Sequence, residues 1–250
     1  MHDRTDDRSR RGRHHLPRLI RVVDSEPMAA LLPSPLLGPA TWLPAADRLR
    51  AEGRRVAVCS IDRPVRVPAD VVESFSAQLP LGPLILVAHS NAGAFVPELC
   101  SRRDVRAAVF VDAVLPGAGA QPMAPPGLMD FLRGLADGDG VLPEWTRWWD
   151  PADVAPLFPD DDSRQRVVAE QQRLPLAYFE SSLPMPERWD DVPAAYLAFG
   201  DTYGAELGRA RSAGWPTARL PGAHLHQLVA PGDVASAIQS LLAELSDPSA

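Results

Sequence analysis

One ten-residue run constrains this chain more than any other feature. Leu84-Ile85-Leu86-Val87-Ala88 is a dense apolar segment, and His89-Ser90-Asn91-Ala92-Gly93 follows it directly. A short, unbroken apolar run reads as a strand buried on both faces. The residues from Asn91 to Arg102 have helix character, with Pro97 placed to kink or shorten that helix. A strand that turns sharply into a helix with Ser at the apex needs small residues two before and two after it, or their side chains collide. Ala88 and Ala92 hold those positions, with Gly93 next. The apex Ser then stands at a helix N-terminus, where backbone N–H groups and the dipole favour an oxyanion. Ser90 is thereby a candidate nucleophile. The alternative is a Ser that merely caps a helix.

The flanking sequence repeats the strand–helix rhythm. Strands are expected at Met28–Leu32, Arg55–Ile61, Arg106–Val111, Ala194–Phe199 and Pro216–Leu220. Helices are expected over Ala40–Glu52, Pro68–Leu79, Asp161–Arg173 and Asp233–Leu245. The fold class is therefore α/β, a mostly parallel sheet with helices on both faces. Between Pro116 and Trp189 the rhythm breaks, and this segment holds eleven of the 27 prolines and four of the six tryptophans. It reads as a lid inserted over the sheet edge. The expected organisation is a tail at 1–21, a core built from 22–115 and 190–250, and a lid at 116–189. Trp145, Trp148, Trp149 and Phe179 are candidates for lining an apolar substrate, or simply for packing the lid.

A serine nucleophile requires a base and an acid to orient it. Of six histidines, His2, His14 and His15 lie in the tail and His89 is expected to point away from the reaction side. His224 and His226 remain, in the loop between the last strand and the last helix. His224 is the leading base and His226 its alternative. The acid is expected on the loop after Ala194–Phe199, where Asp201 stands. Asp112, at the end of the strand after the Ser90 helix, and Glu206 are the alternatives. The chain order Ser, acid, His is that of a known triad arrangement.

These motifs resemble the α/β-hydrolase superfamily over roughly Met28 to Leu245. Ala88-His89-Ser90-Asn91-Ala92-Gly93 is similar to that family's G-H-S-x-G-G elbow. The stretch Gly222-Ala223-His224-Leu225-His226 through Pro231 is similar to its G-G-H-F-x-H…P element, whose first His is catalytic. The whole chain looks like small serine hydrolases of high-GC bacteria. The resemblance implies an esterase or thioesterase acting through an acyl-enzyme, with Asn91 N–H as one oxyanion donor. In the family a second donor follows a His-Gly pair at the end of the first parallel strand. Here the matching stretch is Pro33-Ser34-Pro35, and proline has no N–H. The Leu36 N–H or the Ser34 hydroxyl is the expected substitute. This departure keeps two other readings open on the same fold: a cofactor-independent lyase or cyclase, and a non-catalytic small-molecule binder. The family's opening antiparallel hairpin also has little room here.

Composition narrows the rest. All 25 basic residues are Arg, as a high-GC bacterial gene would give, and without Lys neither a P-loop nor a pyridoxal-phosphate Schiff base is possible. Net charge is −7 although residues 1–21 carry seven Arg against three Asp, so the body is acidic and unsuited to nucleic acid. The basic start reads as a disordered tail, or as an over-extended gene start with Met28 the first residue. No apolar run is long enough to cross a membrane. No cofactor or metal motif is present: there is no Gly-rich dinucleotide fingerprint, and His and Cys are too few for zinc. Two isolated cysteines, Cys59 and Cys100, fit a reducing, cytoplasmic setting. The expected partner is a small-molecule substrate, for a monomer or homodimer.

Overall fold

The computed structural model describes residues 26–117 and 119–246. The expectations for the basic tail and the gene start lie outside the described residues. Six strands form one parallel sheet: β1 (Met28–Leu32), β2 (Val56–Val58), β3 (Leu84–His89), β4 (Val105–Val111), β7 (Ala194–Phe199) and β8 (Thr217–Leu220), in the order β2-β1-β3-β4-β7-β8. The remaining two, β5 (Gln121–Pro122) and β6 (Ser182–Leu183), make a separate antiparallel ribbon.

Parallel neighbours need crossovers, and helices supply them. In chain order, α1 (Leu43–Ala51), α2 (Pro68–Gln78) and α3 (Val96–Arg102) serve the first four sheet strands. The β4–β7 connection holds α4 (Pro126–Leu135), α5 (Pro151–Val154), α6 (Asp161–Glu170) and α7 (Leu176–Glu180). Then α8 (Gly204–Ser212) leads to β8, and α9 (His226–Val229) and α10 (Pro231–Ser246) close the chain.

Side chains alternate along a strand, so a central strand builds two cores at once. Leu84, Leu86 and Ala88 of β3 join Ala108 and Phe110 of β4 and Tyr196 of β7 on one face. Ile85 and Val87 join Val109, Val111, Leu197 and Phe199 on the other. The second face is covered by Ala45, Ala46 and Leu49 of α1 and by Val234, Ile238 and Leu241 of α10. The first face is covered by α2 and α3 and by the β4–β7 connection, whose Met129, Leu132, Leu142 and Trp145 share one continuous core with the sheet.

Two expected elements change form for identifiable reasons. The strand expected over Arg55–Ile61 is only Val56–Val58: it is an edge strand paired with β1 alone, and beyond it the Ser60 N–H donates to Gln78 Oε1 instead of to a strand. The helix expected from Asn91 splits into a 3₁₀ stretch, Ser90–Phe95, and α3. Pro97 is the cause. It lies in the first turn of α3, where its missing N–H is not needed, rather than inside one long helix.

Candidate active site

Ser90 follows β3 with φ of 59°, a left-handed conformation that costs a non-glycine residue energy. The turn is held from outside: the Ser90 carbonyl accepts from the Val114 N–H at 3.1 Å. That close approach explains Gly93, where a Cβ would sit 2.1 Å from the Val114 carbonyl oxygen. Ser90 is only 6% exposed.

The loop after β8 brings His224 to the apex. Its Nε2 lies 3.0 Å from Ser90 Oγ, and its Nδ1 lies 2.7 Å from Asp112 Oδ2. An ionised carboxylate only accepts, so Nδ1 carries the proton and Nε2 is left to accept from the Ser90 hydroxyl. Asp112 follows β4 with φ of 42° and is fully buried. Its other oxygen, Oδ1, accepts from the Phe199 N–H at 2.9 Å, and its own N–H donates to the Leu197 carbonyl at 2.7 Å. Tyr196 steadies the next residue, donating its hydroxyl to the Ala113 carbonyl at 2.6 Å and accepting from the Ala113 N–H at 3.0 Å.

The structure does not bring Asp201, the expected acid, to His224; the carboxylate there is that of Asp112, the alternative. The loop after β7 turns outward, leaving the Asp201 side chain 90% exposed and paired with Arg219 at 2.5 Å. Glu206, the other alternative, lies in the first turn of α8, and the carboxylate bonded to His224 is that of Asp112. His226, the alternative base, opens α9 and packs edge-on against Phe199 with ring centroids 5.5 Å apart.

The expected aromatic cover divides. The Trp145 ring centroid lies 5.9 Å from that of His224. Trp148 packs against Phe179 behind it, with its indole N–H donated to the Pro143 carbonyl. Trp149 does not join them: it is 42% exposed and stacks on Phe131. Asn91 and Leu36 are buried, and so is Ser34. The Leu36 N–H donates to Ser34 Oγ across a long 3.4 Å, so these two candidates satisfy each other weakly. Pro33 and Pro35 remain without donors.

Two residues at the site, Tyr178 and Tyr203, escaped the sequence reading, and a third, His89, makes a contact it did not foresee. Tyr178, fully buried on α7, donates its hydroxyl to the Asn91 side chain. Tyr203 packs 5.7 Å from the His224 ring; burial pushes its hydroxyl up to about 12, so it stays protonated, against the opposing pull of a hydrogen bond with Ser90. His89 does not simply point away: its Nε2 lies 2.9 Å from the His224 carbonyl. Nothing but the polarity of a His at the end of an otherwise apolar run hinted at that last contact. An open groove of about 1060 Å³ is lined by the Leu115–Gly117 loop, Met185–Asp190 and α8; Ser90, His224 and Asp112 do not line it. Among the described residues no group of His, Cys, Asp and Glu could hold a metal ion.

A parallel sheet with a strained Ser turn after its central strand and a His on the loop after its last strand has the α/β-hydrolase architecture, and solved structures agree. An extracellular α/β-hydrolase from a Paenibacillus species matches with a TM-score of 0.67 at 16% identity, covering 86% of this chain and 99% of that one. A pyrethroid hydrolase from Sphingobium faniae matches at 0.59 and 18% identity, covering 89% and 98%. Tomato methylketone synthase I matches at 0.65 and 15% identity, covering 88% and 100%. The chain has the α/β-hydrolase fold. No protein-family model and no curated protein matches the sequence.

Proposed function

We propose that this chain is a serine hydrolase that cleaves a carboxylic ester or thioester of a small hydrophobic substrate. The observation that carries the reading is the relay from Ser90 through His224 to Asp112, at 3.0 and 2.7 Å, with the nucleophile on a strained turn. Ser90 Oγ attacks the acyl carbonyl as His224 Nε2 takes its proton. The negative oxygen is held by the Asn91 N–H, with the Leu36 N–H or the Ser34 hydroxyl as second donor once their mutual bond opens. His224 passes the proton to the leaving alcohol or thiol, and water, activated by the same base, frees the acid and restores Ser90. Asp112 keeps the proton on Nδ1 and stabilises the imidazolium. Residues 116–189 act as the lid, and the near-complete burial of Ser90 means it moves for a substrate to enter.

Solved neighbours support the class: they include a pyrethroid hydrolase and a polyneuridine aldehyde esterase. The substrate is a small molecule rather than nucleic acid. No helix among the described residues is long and apolar enough to cross a membrane. Burial pushes both free thiols up to about 12, so they stay as unreactive thiols.

The test is labelling with a fluorophosphonate, joined to turnover of esters and thioesters of graded chain length. Modification at Ser90, abolished in Ser90→Ala together with turnover, is the expected result. Full ester cleavage by Ser90→Ala would end this reading. A second reading rests on one observation, the prolines at Pro33 and Pro35 where an oxyanion donor is expected. It keeps the triad but makes the chain a cofactor-independent lyase or cyclase, and a methylketone synthase stands among the neighbours. Folded protein that resists the phosphonate at Ser90 would favour it.

A further inference from the structure

The nucleophile strand also carries a second histidine, and its surroundings ask for an explanation. His89 is the last residue of β3 and is fully buried. Its Nε2 lies 2.9 Å from the backbone carbonyl of His224, and the two imidazole rings lie 4.7 Å apart, tilted by 32°. A carbonyl can only accept, so His89 carries its proton on Nε2. Burial, reinforced by the neighbouring His224, holds its pKa well below the usual histidine range. The ring is thus neutral, and Nδ1 is a bare acceptor with no hydrogen-bond partner. A buried polar ring with an orphaned nitrogen is destabilising compared with an apolar side chain of similar size. Among the described residues, the one hydrogen bond that ring makes is to the His224 main chain.

The ring is also held from behind. Trp42 meets it edge-on at 6.0 Å and donates its indole N–H to the Leu32 carbonyl at 3.2 Å, at the end of β1. His89 is therefore fixed on one side by a fully buried Trp and grips the His224 loop on the other. Pro221 and Ala223 of that loop are exposed, and its other anchors are the His224 ring on Asp112 and Ser90 and the buried Leu225, so the His89 bond is the one that holds the His224 main chain to β3.

We infer that His89 is a positioning residue for the base: its Nε2–H, donated to the His224 carbonyl, tethers the base-bearing loop to the strand that carries the nucleophile, and so sets the Ser90–His224 distance. The inference rests on the serine-hydrolase reading. It assigns His89 no contact with substrate and no proton transfer of its own.

The test compares the parent with His89→Leu, which removes the donor, and His89→Gln, whose amide reaches the same carbonyl. Fluorophosphonate inactivation rate and ester turnover are measured per folded molecule, with the folded fraction taken from thermal unfolding. Since a misplacement of about 1 Å can slow a reaction about 100-fold, His89→Leu is expected to lose about 100-fold in inactivation rate and kcat with KM little changed. His89→Gln is expected to recover most of that loss. A purely structural histidine would alter Tm but leave the rate per folded molecule unchanged. Equal, parent-like rates in both variants overturn the inference, and so does a loss that Gln fails to rescue in folded protein. If His89→Leu does not fold, His89→Gln alone decides, by parent-like or collapsed kcat. A parent that the phosphonate leaves unlabelled at Ser90 overturns the serine-hydrolase reading and this inference with it, whereas a labelled parent with an indifferent His89→Leu overturns only the tether.

Discussion

At the level of single residues, the structure makes opposite forecasts for two aspartates. Asp112 is buried and shares its oxygens between His224 and the Phe199 N–H. Asn in its place can present an N–H to His224 and select the wrong tautomer, so Asp112→Asn should cut kcat by about 10⁴ with the fold intact, as in comparable triads. Asp201→Asn removes only an exposed ion pair with Arg219 and should leave kcat within about twofold. Steady-state kinetics of the two variants checks both. The sequence could not separate these residues. Each follows a parallel strand at the carboxyl end of the sheet, where acids of this kind are sought. What divides them is backbone direction, a φ of 42° that turns Asp112 inward and a loop that carries Asp201 out. Gly93 makes a further forecast. An added methyl would meet the Val114 carbonyl, which is backbone and cannot move aside, so Gly93→Ala should destabilise by more than about 3 kcal/mol, seen as insoluble protein or a sharply lowered Tm.

Among the elements, those that bury both faces were the most legible. β3, β4 and β7 fall within a residue of their expected limits because an unbroken apolar run in a parallel sheet has only one way to be buried. β2 was less legible because an edge strand is ended by its neighbours rather than by its own residues. In the Pro-rich connection, which tryptophan packs by His224 was not legible, because its helices are too short to show a period. Tyr178 went unseen for the same reason. Its hydroxyl ties α7 to the Asn91 side chain. Tyr178→Phe leaves the buried Asn91 oxygen without that donor, and should cost about 1–3 kcal/mol in chemical denaturation.

For the molecule as a whole, His89 links folding to pH. Its folded pKa lies well below the 6.5 of an unperturbed histidine. The unfolded chain therefore binds the proton more readily, and stability must fall as pH drops below about 6.5, continuing until the folded-state pKa is reached. One such group contributes a slope of at most about 1.4 kcal/mol per pH unit. Unfolding free energies measured between pH 7.5 and 5 should show this loss, and His89→Gln, which does not titrate, should flatten the curve by that amount. An unchanged slope would mean that His89 is not buried neutral.

The inward turn at the end of β4 has a consequence for how this scaffold can be altered. Ser90 and Asp112 leave the sheet from adjacent strands paired in register from Ile85–Ala107 to His89–Val111. The tip of the next turn, Asp201-Thr202, is exposed and carries no part of the relay. It is a place where residues can be randomised, or a peptide spliced in, while the reacting groups keep their spacing. Gly200 just before it must stay, since it holds a φ of 58° and a Cβ there would meet the Gly222 carbonyl at 2.6 Å.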